Sequence, residues 1–161
     1  MIVGNRKRRD VKALPLADRH YNRQKIGSPR FVPPGRCCVL LAGDPAYALW
    51  VTSWPFAEYT KHAWAGAWVC SCFRREGGAQ ASEMIRDAIA ATRAALGDPP
   101  PLGMVTFLDR RRGKPMFGRT YLLAGFEPCG ETKGGLLAFR IAPDAMPAAL
   151  PAMWTQESLF T

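Results

Sequence analysis

The amino-acid sequence predicts a mixed α/β domain whose central sheet is largely antiparallel and flanked by helices. Two observations carry this. Residues 65–97 read as a buried strand, a glycine-bearing turn and one long amphipathic helix, and two pairs of short β-type runs are each joined by turn residues, Gly43-Asp44-Pro45 and Lys133-Gly134-Gly135. The length of 161 residues then fits a single core, because a chain of this size buries roughly two thirds of the surface it exposes when unfolded.

In chain order, residues 1–9 read as a basic tail and residues 10–23 as a short helix with Val11, Leu14, Leu16 and Ala17 as its apolar positions. The stretch 26–36 holds too many Gly and Pro residues for regular structure. Strands follow at 37–42 and 48–54, forming a hairpin. Trp68, Val69, Cys70, Cys72 and Phe73 suit the next strand, after which Gly77-Gly78 supply a tight turn. Ala81, Met84, Ile85, Ala88, Thr92, Ala95 and Leu96 then repeat with helical spacing, and Gly97 is placed to end that helix. A Pro-rich break separates it from a strand at 104–108, a basic loop at 110–114 and a short helix from Pro115 to Ala124, closed by Gly125. A second hairpin, 127–132 with 136–141, completes the order. The organisation expected is an N-terminal basic segment (1–36), a core (37–141) and a weakly specified tail (142–161).

The formal charge of +9 is concentrated rather than spread. Residues 1–36 hold ten Lys or Arg against Asp10 and Asp18, and Arg110, Arg111, Arg112, Lys114 and Arg119 form a second cluster. Such a surface suits a polyanion, whose neutralised phosphates release their counterions. Arg6, Lys7, Arg8, Arg9, Arg23 and Lys25, with Arg110 to Arg112 and Lys114, are the candidate DNA contacts. Five cysteines without a C-x-x-C pair indicate neither a disulfide framework nor a zinc ribbon. No apolar run reaches the ~18 residues of a membrane span, so the expectation is a soluble, intracellular, cytoplasmic protein. Between positions 50 and 68, Trp50, Trp54, Phe56, Tyr59, Trp64 and Trp68 are dense; core packing accounts for most of them, while Trp54, Phe56 and Tyr59 fall where they could stack an extruded base.

The strand-to-helix junction directs unpaired backbone N–H groups, at the positive end of a helix dipole, toward whatever lies in front of the strand. That is an anion cradle, or simply a turn. Two motifs make it more specific. Arg74-Arg75-Glu76-Gly77-Gly78-Ala79 resembles the R/Q-x-x-G-x-G/A pyrophosphate loop of the GNAT acyltransferase superfamily, and Tyr121-Leu-Leu-Ala-Gly125-Phe126 resembles that family's Y-x-x-x-G-F, at the separation the family has. The resemblance covers about 37–141 and implies a GNAT-like fold, an acetyl-coenzyme A site at Cys72, Phe73, Arg74, Arg75, Gly77, Gly78, Ala79 and Ser82, and Tyr121 as the acid that protonates the departing thiolate.

Within that superfamily the chain looks most like the Mom-type DNA-modification proteins of phages. The residues concerned are His20-Tyr21, the A-S-E-x-I at Ala81, Ser82, Glu83 and Ile85, the T-F-x-D at Thr106, Phe107 and Asp109, and the G-E-T-K-G-G-L-L from Gly130 to Leu137. This resemblance implies an anti-restriction transferase that carbamoylmethylates adenine N6 in double-stranded DNA with acetyl-coenzyme A and iron. It makes His20, Tyr21, Ser82, Asp109 and Tyr121 the catalytic candidates, with His20 and Asp109 as Fe(II) ligands. The chain is short for that family, and the Asn that ordinary GNAT enzymes carry shortly before the Tyr is replaced by the basic loop. Taken without the resemblance, Ser82 reads equally as a helix-end hydroxyl, Tyr121 as a core ring, His20 as a structural imidazole and Asp109 as an ion-paired loop residue. Two other functions remain open: an N-acetyltransferase for a small amine or a protein, and a non-catalytic basic domain that binds nucleic acid. Oligomeric state is open too, a homodimer included.

Overall fold

The structure, a computed structural model, describes residues 5–6, 12–20, 35–43, 45–112 and 118–152, without the side chains of residues 5, 6 and 112. In chain order the elements are β1 (Asn5–Arg6), α1 (Leu14–Asp18), β2 (Arg36–Ala42), β3 (Ala48–Trp54), β4 (Trp68–Arg75), α2 (Ala81–Leu96), β5 (Met104–Leu108), α3 (Arg119–Ala124), β6 (Glu127–Glu131) and β7 (Leu137–Ile141). They form one sheet in the order β1-β2-β3-β4-β5-β7-β6, in which only β4 and β5 run parallel. A parallel pair needs a crossover, and α2 is that crossover. The fold is mixed α+β with a largely antiparallel sheet, as the sequence predicts.

Both faces of β2 and β3 are covered. Cys38, Leu40, Trp50, Trp68 and Met104 point toward α2, where Ile85, Ala88 and Ile89 meet them, and Ala124 and Phe126 at the end of α3 join the same cluster. Val39, Leu41, Leu49 and Val51, one residue out of phase, meet Leu16 and Ala17 of α1 on the opposite face. Because β2 and β3 are buried on both sides, they read as continuous apolar runs rather than alternating ones. A buried polar chain ties α2 to the sheet: Trp50 Nε1 donates to Thr52 Oγ1 (2.6 Å), which lies 3.2 Å from Thr92 Oγ1.

The described parts of the N-terminal segment join the sheet: Asn5 and Arg6 pair with Leu40 and Val39, and Ala13, Leu16 and Ala17 are buried. Among the described residues of the helix expected over 10–23, Leu14–Asp18 is helical, with Pro15 in its first turn, where its missing N–H costs no hydrogen bond. The tail is likewise anchored as far as residue 152: Met146 is buried, Leu150 N–H donates to Ala90 O, and Arg93 donates to Pro147 O. The helix expected from Pro115 begins at Arg119, and residues 113–117 lie outside the described part.

Two irregularities in the middle of the sheet coincide. Thr52 pairs with Cys70 and Val51 with Cys72, which leaves Ser71 as an extra residue on β4. Pairing of β4 with β5 stops at the same place. It runs through Trp68↔Met104, Val69↔Val105 and Cys70↔Thr106; beyond that, residues 71–75 face β3 alone, and residues 107 and 108 face β7 alone. A bulge bends its strand and strengthens the local twist. The sheet therefore opens between β4 and β5 from Ser71 onward.

Candidate functional site

The turn after β4 stands at the open end of this split. Arg75 holds it: Nε donates to Ala79 O (2.7 Å) and Nη2 to Gly78 O (3.2 Å). In a trans peptide the C=O and N–H point in opposite directions, so carbonyls drawn to Arg75 turn the N–H groups of Ala79 and Gln80 away from it. Those N–H groups run on into the first turn of α2, where no side chain caps the N-terminus. Such a row of amides at the start of a 16-residue helix has the chemistry to receive an anion. Ser82 is half-buried beside it, and its hydroxyl does not serve as the cap.

Gly78 has φ +87°, and a Cβ there would collide with the ring of Tyr47. Gly77 differs, since a Cβ at that position would meet Tyr47 only at 3.8 Å. The glycine motif thus has a structural reason as well, because Tyr47 fills the space behind Gly78. Tyr47 O also accepts from Glu76 N–H (2.7 Å), extending the β3–β4 ladder into the turn. Nothing in the sequence marks Tyr47.

Glu76 receives a fork from Arg19 at the end of α1, at 2.6 and 2.8 Å, and a further bond from Arg74 Nε at 3.0 Å. The Arg19 hydrogen bond, opposed by desolvation and helped by the Arg74 hydrogen bond and both positive charges, holds the Glu76 carboxyl below its ordinary range. This network attaches the N-terminal segment to the cradle, a link that sequence separation concealed.

At the inner end of the split lie Cys70 and Thr106, the last paired residues of β4 and β5. Burial pushes the Cys70 thiol up to about 12, with hydrogen bonds from Thr106 and Tyr121 acting against it. Cys70 is therefore a neutral thiol, and the Tyr121 hydroxyl reaches it from α3. The motif around Tyr121 has its own local logic. Gly125 ends α3 at φ +107°, its N–H donating to Leu122 and Tyr121 carbonyls, and Arg86 of α2 donates to Ala124 O (2.7 Å). Phe126 meets Tyr121 edge-on at 5.4 Å. These contacts aim Tyr121 at the point where β4 and β5 part.

Of the other coenzyme candidates, Phe73 packs on the α2 side against Trp50 at 5.7 Å. Cys72 does not reach the same space: the bulge turns its thiol into the α1-side cluster with Leu49 and Val51, which leaves it only its main chain for that role.

His20 and Asp109 sit on different elements, His20 just after α1 and Asp109 just after β5. The Asp109 carboxylate accepts from the Arg111 backbone N–H (3.0 Å) and from its guanidinium (3.1 and 3.2 Å). Among the described residues no group of three or more His, Cys, Asp or Glu is gathered to hold a metal. Arg110 is ion-paired with Glu131. Tyr21, Lys7, Arg8, Arg9, Arg23, Lys25 and Lys114, and the side chains of Arg6 and Arg112, lie outside the described part. No helix among the described residues is long and apolar enough to cross a membrane.

Among the aromatic residues, Trp50 and Trp68 are fully buried, whereas Phe56 and Tyr59 are 55% and 76% exposed on the 3-10 turn Ala57–Tyr59. Trp54 is held by its Nε1 bond to Gly66 O (3.1 Å) and lies under the Arg36 guanidinium.

No protein-family model, curated protein or solved structure matches the chain.

Proposed function

We propose that the protein is a GNAT-type, acyl-coenzyme A-dependent transferase of the Mom type that modifies the adenine N6 amino group in DNA. The observation that carries the reading is the alignment of three features along one line: the amide cradle of residues 77–82, the split between β4 and β5, and the Tyr121 hydroxyl at its inner end. A pyrophosphate suits the cradle, since its charge meets main-chain N–H groups at a helix N-terminus. An extended chain running from it suits the split, where β4 and β5 no longer pair with each other. Acetyl-coenzyme A, when bound, supplies the activated acetyl group. The chain's own contribution is then to orient the donor through residues 74–82 and to hold a proton on the Tyr121 hydroxyl for the departing sulfur. The concentration of basic residues before β2 and after β5 is what favours DNA as acceptor.

A second reading, acetyl transfer to a small amine or a protein, draws on the ion pairs of Arg110 with Glu131 and Arg111 with Asp109, which lower the positive charge free to meet phosphate. Nucleoside mass spectrometry on DNA from cells making the protein separates the two. A modified deoxyadenosine is expected; acyl transfer to an amine with unaltered DNA would replace the first reading by the second. Tyr121→Phe should retain coenzyme binding in calorimetry and lose turnover by about 10²-fold or more, and full activity in that variant would remove the acid role.

A further inference from the structure

Three half-buried rings gather on the face of the sheet opposite α2. His62 lies 4.9 Å from Phe107 and 6.0 Å from Trp64, and Trp64 lies 5.8 Å from Phe107. Alternation along β5 puts Phe107 on this face, since Met104 points into the α2-side core. Phe107 is also the first residue of β5 without a partner on β4. The cluster therefore forms one lip of the split. Gly130 of β6 backs Trp64, with 3.4 Å between the ring and the position a Cβ would take, and the next residue, Glu131, holds Arg110.

The chemistry of His62 is defined by one hydrogen bond. Its Nδ1 accepts from Trp64 backbone N–H at 3.0 Å, so the neutral ring carries its proton on Nε2. Burial lowers the His62 pKa below its ordinary value, which keeps the ring neutral near pH 7. Imidazole here is an aromatic plate with an edge donor, not a base. Lys61 beside it and Arg110 three residues after Phe107 bring positive charge to the same region.

We infer that the His62, Trp64 and Phe107 cluster is a stacking shelf for an unpaired nucleobase of the DNA acceptor, presented to the β4–β5 split from the side opposite α2. Rings of this kind stack any base face, the nearby cations meet the flanking phosphates, and an edge donor adds polarity without charge. The exposed ring pair Phe56 and Tyr59 stands earlier in the same connection and is not part of the shelf. The inference rests on the DNA reading given above, and it adds where the extruded base lies.

The test uses two duplexes and fluorescence anisotropy on the full chain. One carries an adenine opposite an abasic site, so that the base is already free to leave the stack; the other lacks that adenine as well. The first should bind about tenfold more tightly. In Phe107→Leu and in His62→Leu that preference should vanish, while affinity for the second duplex and calorimetric coenzyme binding remain. Equal affinity of the unaltered protein for the two duplexes would overturn the shelf and leave DNA binding standing. Retention of the preference in both variants would overturn it as well. Absence of binding to either duplex would remove the DNA reading together with the shelf.

Discussion

Arginines stand at the end of one central parallel strand and just after the other, and they are held differently. At the end of β4, Arg75 reaches to the carbonyls of Gly78 and Ala79, and the turn it shapes directs its amides outward. After β5, Arg111 folds back on Asp109, and Arg110 crosses to Glu131. In the first turn the cation organises the main chain; in the second, carboxylates already meet the cations. Counting charges along the chain treats the two alike. Geometry separates a row of main-chain N–H groups from a basic surface whose charge is partly neutralised.

The largest effect expected from this contrast is at Gly78. Gly78→Val introduces a β-branched residue at φ +87° against the Tyr47 ring, and should cost about 3 kcal/mol in chemical denaturation as well as coenzyme binding. Gly77→Ala, with its nearest contact at 3.8 Å, should change stability by less than about 0.5 kcal/mol. Equal losses at the two positions would mean that Tyr47 does not determine the shape of the turn.

Arg75→Ala should come next. Freed of its two carbonyl bonds, the turn loses its preferred orientation, and coenzyme affinity by calorimetry should fall about tenfold. Arg111→Ala should leave that affinity unchanged, which sets the two turns against each other directly.

A smaller, opposite effect is expected from Glu131→Gln. Releasing Arg110 from its ion pair makes one more cation available to phosphate, so DNA binding should strengthen and the salt dependence of log K should steepen by up to about 0.9. If the affinity falls instead, Arg110 needs Glu131 to be positioned and the ion pair belongs to the DNA surface.

The smallest is a pH effect on the link between α1 and the cradle. The folded Glu76 carboxyl lies below its ordinary value of 4.5, chiefly through the Arg19 hydrogen bond. A depressed carboxylate contributes its stabilisation above the unfolded value and loses it as pH falls through the folded one. Amide exchange in α1, scaled for the intrinsic rate, should accelerate below about pH 4.5 in the unaltered protein. Glu76→Gln should remove that step, and an unchanged profile in the variant would assign it to another group.

Much of this molecule was legible from local pattern. Strand spacing in 37–42 and 48–54, the helical repeat from Ala81 to Leu96, and the placement of Gly97 and Gly125 are short-range properties, since periodicity and caps depend on residues within a few positions of each other. The bounds of β3, α2 and β5 accordingly agree with expectation. The turn at Gly77-Gly78 follows from the same local rules, whereas spacing alone left open whether Tyr121 is a core ring.

What sequence alone could not determine arises from contacts between distant residues. Strict alternation would leave Phe73 out of phase with Trp68 and Cys70, and the extra residue at Ser71 brings it back to the α2 side. A bulge is created by two strands that disagree in length, so one strand's pattern does not contain it. The same holds for Arg19 on Glu76, separated by 57 positions, and for Tyr47 behind Gly78. His62 gained its place beside Phe107 only when the β3–β4 connection crossed the face of β5. Residue spacing therefore determined the elements and the turn chemistry. Tertiary structure decided where the sheet opens, which charges remain available, and which rings border the opening, because each depends on what another strand brings into contact.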